Sequence, residues 1–414
     1  MSENKASLSI SSKSWLFYSL VITIAVSMAM IAAGGSRGAF GVFFKPMANE
    51  LGWSSAQMSG TFSLSMMIEG IMSVVCGRLS DRFGTRIVLV FSGLISGTGF
   101  VLMSYVNTIW QMYLVYGLAM GIGLGGIVVP IVSMLARWFT SRRTLMTGVA
   151  LAANGLGQLF SPMIAYQLIA NYHWRTSYIV LGVAVFILIT LPALFLQRNR
   201  PQSIQILQDN SASGPSLLEP DAMSYSLAEA RHTRQFWMII VMLGLYGYCF
   251  LSILVHVVPY GIEIGIPAST AAIILAFVGG GVLVGRVVFG VIADRIGNKR
   301  TIMVGFILLL ASLLWLIPAE KVWALFLFAT IGGLGLGAIS SSQSPLSAEF
   351  FGLKSHGTIY GAIGGGTVIL GATGPFVTGY LFDVTGHYRI PFIICAFLSL
   401  IGLIINLLLK PKRK

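Results

Sequence analysis

Four ionisable side chains, Arg37, Glu69, His256 and Arg286, fall inside long apolar runs of the 414-residue chain. Arg286 lies near the middle of the run 269–292. Its planar guanidinium can grip a carboxylate through two parallel hydrogen bonds, a geometry that lysine lacks. A charge at that depth is costly unless it faces a wet cavity or a partner, so substrate binding is the default reading. The alternative is a structural ion pair, but no acid lies one helical turn away in the same run. Arg37 follows Gly34-Gly35-Ser36 in the outer third of the first run. It can steer anions, form a second contact, or snorkel towards the outer interface. Glu69 is the acid placed well inside a run, eight residues before Gly77. A carboxyl able to be neutral there suits a proton carrier, and a static partner of an arginine, Arg37 included, suits the position as well. His256 can donate to a carboxylate, titrate near neutral pH, or sit neutral and hydrogen-bonded. Tyr116, Tyr246, Tyr360, Asn154, Gln158 and Gln343 are polar groups on runs able to line a cavity. The same residue types also serve interhelical hydrogen bonding.

The elements that must position these groups follow from composition. Hydrophobic residues make up 56% of the chain and charged residues only 9%, against about 25% charged in soluble domains. A soluble fold could not hide that much apolar surface, so lipid is the solvent. With about 20 apolar residues needed per crossing, twelve spans are predicted, at 15–46, 55–76, 87–106, 109–135, 144–170, 175–196, 235–261, 269–292, 301–318, 322–347, 357–382 and 389–409. The result is an all-α membrane protein of twelve transmembrane helices in two pseudo-symmetric six-helix bundles, 15–196 and 235–409. A polar N-terminus (1–14), a Pro- and Ser-containing linker (197–234) and a basic tail (410–414) lie between and around them. The apolar run after residue 14 is too long for a signal peptide.

Lys and Arg distribution sets the orientation. With the N-terminus inside, 20 fall in cytosolic segments and four (Lys45, Arg175, Lys321, Arg389) on the opposite side. That asymmetry accounts for most of the +13 net charge and removes nucleic acid as the reason for it. Both termini and the linker are expected in the cytosol, in a cell (cytoplasmic or inner) membrane. Cys76, Cys249 and Cys395 lie in apolar runs at no metal spacing, and are read as small buried hydrophobes.

An internal repeat is visible. Gly77-Arg-Leu-Ser-Asp81-Arg82-Phe-Gly84-Thr-Arg86 recurs as Gly290-Val-Ile-Ala-Asp294-Arg295-Ile-Gly297-Asn-Lys299, at an offset of 213. The same offset relates Gly148 to Gly361 and Pro162 to Pro375, and Ala136–Phe139 matches Ala348–Phe351 one residue out. A duplicated unit suits alternating access, in which a site between two similar bundles opens to either side as they rock.

The pattern G-x-x-x-D-R-x-G-x-[RK] after the second and eighth spans resembles the signature loop of the major facilitator superfamily. Gly41-Val-Phe-Phe-Lys-Pro46, Leu51-Gly-Trp53, His256-Val-Val-Pro-Tyr260 and Arg286 resemble the monocarboxylate porter and oxalate/formate antiporter group. The resemblance implies a conformational latch at Asp81, Arg82, Asp294 and Arg295, where a carboxylate at a helix end pairs with arginines or a helix N-terminus. Topology and a tight turn at Gly84 or Gly297 are the plainer roles of those loops. The chain departs from the group at Val282, where many members carry an acid or amide one turn before the arginine. It departs again at Gly38, where animal members carry a lysine and this chain has Arg37 one residue away. Residues 357–382 also hold no Lys or Arg, unlike the oxalate antiporter's eleventh span.

No G-x-x-x-x-G-K-[ST] motif is present, so ATP-driven transport is not encoded, and no metal or Ser/His/Asp constellation is readable. The expectation is a secondary porter of small organic anions, a monocarboxylate moved with a proton, needing no cofactor and no metal, with a monomer sufficient for function. Its rivals are an anion exchanger, an amphiphile exporter on the same fold, a transport-fold sensor and a membrane-embedded enzyme. The last two are weakened by the short cytosolic segments and the lack of carboxylate or His clusters within spans. Cysteines introduced at 200–225 are expected to react with impermeant reagents from the cytosolic side alone; labelling from outside would overturn the helix count or the orientation.

Overall fold

The computed structural model describes residues 2–138, 143–196, 225–319, 321–352 and 356–409, and the side chains of 2–20, 81, 136–138, 143–147 and 356–357 lie outside that description. Every long element is helical. In chain order they are α1 (Ser2–Leu51), α2 (Ser55–Phe83), α3 (Thr85–Met103) and α4 (Ile109–Leu135, wound as π-helix over Tyr113–Met120). Then come α5 (143–172), α6 (174–194), α7 (Arg234–Glu263) and α8 (Ala268–Ile296). The last four are α9 (Asn298–Leu316), α10 (Val322–Phe351), α11 (His356–Thr385) and α12 (Arg389–Leu408). Among the described residues, eleven continuous stretches are long and apolar enough to cross a membrane. One of them, Gly148–Leu194, spans 47 residues and breaks at His173, which holds φ 68° and ψ 152°. Forty-seven helical residues far exceed one crossing of about 20, so the break divides them into two and restores twelve.

Local chemistry sets the helix ends. Ser54 with Gln57 and Thr108 with Gln111 form capping boxes at the starts of α2 and α4, each satisfying two backbone N–H groups that a helix start leaves unpaired. Both signature loops turn on their glycine. Gly84 and Gly297 hold φ 95° and 86°, and donate their N–H to Ser80 and Ala293. Only glycine adopts that backbone without strain, so the repeated motif encodes the same chain reversal twice.

Packing reproduces the repeat in three dimensions. A Cβ on Gly34 of α1 would overlap the Asn154 carbonyl oxygen of α5. At the offset of 213, a Cβ on Gly247 of α7 would meet the Thr367 carbonyl oxygen of α11 at 3.2 Å. Gly125 of α4 abuts the Glu69 carbonyl of α2, and Gly337 of α10, one residue short of the offset, abuts the Val282 carbonyl of α8, at 2.9 and 2.5 Å for the built Cβ. Glu69 and Val282 are therefore equivalent positions in the two halves.

The halves meet on two seams and part along both. On α11, Gly379 faces Ser55, Phe376 faces Gly60 and Val368 faces Gly70 of α2. Continuing on the same face towards the signature loop, Gly365, Gly364 and Gly361 have nothing within 4 Å of a built Cβ. On the other seam, Gly279 of α8 packs on Gln158 and Leu283 on Gly155 of α5, after which Gly290 and Gly148 again face open space. The molecule is thus sealed at the end away from the signature loops and open at the end that bears them.

One expectation about the chain's course changes. The first helix continues through Lys45 and Pro46 to Leu51. Arg37 consequently sits mid-span rather than in the outer third, and the snorkelling reading falls, because its guanidinium turns inward to Glu69. Within the linker, 197–224 lie outside the described residues. Its described end holds a one-turn helix at Leu227–Ala230, and Tyr225 N–H donates to Phe351 O at 3.0 Å. Gly34→Ala, which drives a methyl into a neighbouring backbone, is expected to cost about 1–3 kcal/mol, whereas Gly361→Ala should change stability by less than about 0.5 kcal/mol. Thermal melts of the two purified variants check the contrast.

Candidate functional site

Arg286 comes one turn past Leu283, the point where α8 leaves α5. Close glycine packing of α8 on α10, with Gly285 against Leu334 and Gly337 against Val282, brings the two helices near enough for Arg286 Nε to donate to Ser340 Oγ at 3.0 Å. Ser340 in turn donates to the Gly337 carbonyl at 2.9 Å, which fixes its oxygen as the acceptor. Tyr246 of α7 and Tyr360 of α11 both lie within electrostatic reach of the guanidinium. Gln343 stands half-buried one turn beyond Ser340 on α10. Among the described residues Arg286 has no carboxylate partner, and its Nη groups make no hydrogen bond. The charge is partly buried and positioned through Nε.

Arg37 is different. Its Nε donates to Glu69 Oε2 at 3.1 Å and its Nη2 to Oε1, a two-point grip between α1 and α2 with each side chain 14% exposed. Tyr116, whose ring lies 4.8 Å from Phe40, is the neighbouring polar group. The structure therefore brings Arg37, Glu69 and Tyr116 together in one half, and Arg286, Tyr246 and Tyr360 in the other. Asn154 and Gln158 belong to neither group. Asn154 Nδ2 donates to Met30 O at 3.2 Å, binding α5 to α1, and Gln158 Nε2 donates to Asn154 Oδ1 at 3.2 Å within α5.

His256 lies apart from both clusters, fully buried in the sealed end. Its Nε2–H donates to Pro375 O at 2.9 Å and lies 3.0 Å from Ser59 Oγ, while Nδ1 is 3.1 Å from the Tyr388 hydroxyl. A carbonyl can only accept, so Nε2 carries a proton. At the open end Arg82 is exposed with its guanidinium over the Phe83 ring. Asp294 and Arg295 are exposed and make no ion pair among the described residues. The Asp81 side chain lies outside the described residues.

The chain matches the family model described as Major Facilitator Superfamily over residues 26–295 and 263–414. It belongs to that superfamily. It is accordingly a secondary transporter and a multi-pass membrane protein. Among relatives, it is 26% identical over 363 residues to the uncharacterized MFS-type transporter YhjX of Escherichia coli (strain K12), covering 86% of each chain. It is 27% identical over 389 residues to monocarboxylate transporter 13 of Rattus norvegicus, covering 92% of this chain and 86% of that one. It is also 23% identical over 403 residues to the agnestins efflux protein AgnL12 of Paecilomyces divaricatus, covering 95% and 88%. A bacterial homolog of the human lysosomal transporter Spinster, inward-facing and unoccupied, shares the fold at a TM-score of 0.77, 13% identity and 94% and 96% coverage. The nucleoside transporter NupG does so at 0.75, 13%, and 94% and 99%.

Ser340 is the site residue that sequence reading missed. It stands in a run of three serines, and nothing in its type separates it from ordinary interhelical hydroxyls. The Arg37–Glu69 pair invites a double-mutant cycle. Removing either charge strands the other in a nearly dry site and should cost about 3 kcal/mol. Arg37→Gln with Glu69→Gln should lose clearly less than the sum of the two, as read from thermal stability of the purified proteins.

Proposed function

We propose that the protein moves small organic anions, most simply a monocarboxylate together with a proton, by alternating access between its two halves. The observation that carries this reading is Arg286: a mid-span guanidinium held through Nε, with no carboxylate of its own among the described residues, one turn past the point where α8 leaves α5. An incoming carboxylate would take its free edge in the bidentate mode that guanidinium favours, with Tyr246 and Tyr360 beside it. Kinship with monocarboxylate transporters supports the substrate class, and kinship with an efflux protein keeps the direction of transport open to measurement.

Glu69 is the proposed proton carrier. It occupies in the first half the place that Val282 occupies in the second, so the acid lies across the pseudo-symmetry axis from the substrate arginine. Protonation of Glu69 would free Arg37 from its internal partner and expose a second positive charge to the anion. With the N-terminus and both signature loops in the cytosol, the open state loads or releases substrate on the cytosolic side. Asp81, Arg82, Asp294 and Arg295 then serve the opposite state, closing that end when the bundles rock.

Uptake of labelled acetate, lactate, pyruvate and benzoate into proteoliposomes tests the reading. Each charge-assisted hydrogen bond is worth about 1.5–3 kcal/mol net, so Arg286→Ala should weaken binding of the transported acid by roughly tenfold to several hundredfold. Arg286→Lys keeps the charge, loses the planar fork, and should recover binding only in part. Glu69→Gln should abolish uphill, pH-driven accumulation while sparing exchange. Normal binding in folded Arg286→Ala would sink the anion site, and full proton-driven uptake by Glu69→Gln would sink the proton route. Counter-flow that never needs a proton gradient in the native protein would establish the exchanger instead.

A further inference from the structure

We propose that Asp383 is an electrostatic latch on the sealed end of the transporter, holding α11 of the second half against the N-terminus of α2 in the first. Its Oδ1 accepts the Ser55 N–H at 2.9 Å and its Oδ2 accepts the Ala56 N–H at 2.7 Å. These are the first two N–H groups of α2, which point out of the helix start, where the helix dipole favours negative charge.

The carboxylate is not needed to cap α2. Ser54 already does so from within the first half, with Gln57 N–H donating to Ser54 Oγ at 3.2 Å and Gln57 Oε1 accepting from Ser54 N at 3.0 Å. The helix start therefore stays intact when the halves separate, and the two N–H groups held by Asp383 pass to water. That makes the contact reversible, specific to the sealed state, and independent of which substrate is carried.

Its surroundings belong to the same seam. Gly379, one turn earlier, lets α11 approach so closely that a built Cβ would stand 2.6 Å from the Ser55 carbonyl. The Tyr388 hydroxyl is 3.1 Å from His256 Nδ1, and His256 reaches Ser59 of α2 at 3.0 Å through Nε2. Lys45 of α1 lies over the Phe382 ring, 5.3 Å from its centroid. The latch is one-sided. On the symmetry-related seam, the residues at the offset of 213 are Ala170 and Ala268, and α8 begins after Pro267 with no side-chain cap. At the other end of the molecule Asp294 makes no ion pair among the described residues, so the charge contacts of this conformation favour a closed far end and an open signature end.

Spin labels at Asn49 and Lys321, exposed positions at the sealed end of either half, read the separation of the halves in the full chain in nanodiscs. The native protein should give mainly the short distance. Asp383→Asn, close to isosteric, should raise the ratio of long to short distance by roughly twofold to thirtyfold, and Asp383→Lys further. Ser55→Pro removes one of the two N–H groups from the other side. Ser54 already holds φ −73° and ψ 159°, which a following proline accepts. It should shift the ratio in the same direction in the native background and much less in Asp383→Asn, whereas Ser55→Ala, which keeps the N–H, should shift it less than Ser55→Pro. Should Asp383→Lys fail to fold, Asp383→Asn carries the comparison. Unchanged distance distributions in folded Asp383→Asn, or full additivity of Ser55→Pro with it, would overturn the latch.

Discussion

Lipid tails are as apolar as leucine, so helices inside a bilayer gain little by hiding apolar side chains from it, and close backbone approach has to supply the cohesion. Here that approach is made at glycine. Gly34 against Asn154, Gly247 against Thr367, and Gly125 and Gly337 against the carbonyls of Glu69 and Val282 bring helix backbones into direct contact within each half. Everything else depends on it. Arg286 reaches Ser340 because α8 and α10 nearly touch, and Asp383 reaches α2 because Gly379 admits Ser55.

The same constraint explains how a moving protein can be well packed. Within each half the glycine contacts are continuous, whereas across the seams they stop midway. Beyond Val368 on one seam and Leu283 on the other, the facing glycines meet nothing. Two stiff bundles hinged on a shared contact can rock without repacking either interior, which is the mechanical content of alternating access in a duplicated fold.

Chemistry enters where the duplication is broken. Glu69 and Val282 occupy equivalent places with equivalent backbone contacts, yet one is a carboxylate in a two-point ion pair and the other an aliphatic. Asp383 likewise answers to Ala170. A perfectly symmetric pair of bundles would open equally well either way and would offer an anion two identical half-sites. Placing a lone guanidinium in one half and a neutralised Arg37–Glu69 pair in the other gives the cavity a polarity that an anion and a proton can use differently, on the reading proposed above.

Much of this was legible in the residues alone. Length and hydropathy of the runs determined twelve crossings, because a bilayer imposes one span length on every helix. The 213-residue offset determined two related halves, and the glycines of the repeated loop determined their chain reversals, since only glycine takes φ near 90° at low cost. The cost of charge in lipid singled out Arg37, Glu69, His256 and Arg286. Which of them meet was decided only by the tertiary structure. Arg37 and Glu69 are 32 residues apart and Ser59 and His256 are 197 apart, and helix periodicity says which residues share a face but not which neighbour that face receives. The open alternatives for Arg37, Glu69 and His256 were undecidable for that reason, and Ser340 and Asp383 were invisible. A serine in a helix and an aspartate at its end have no distinguishing pattern until another helix delivers an arginine or a row of N–H groups to them.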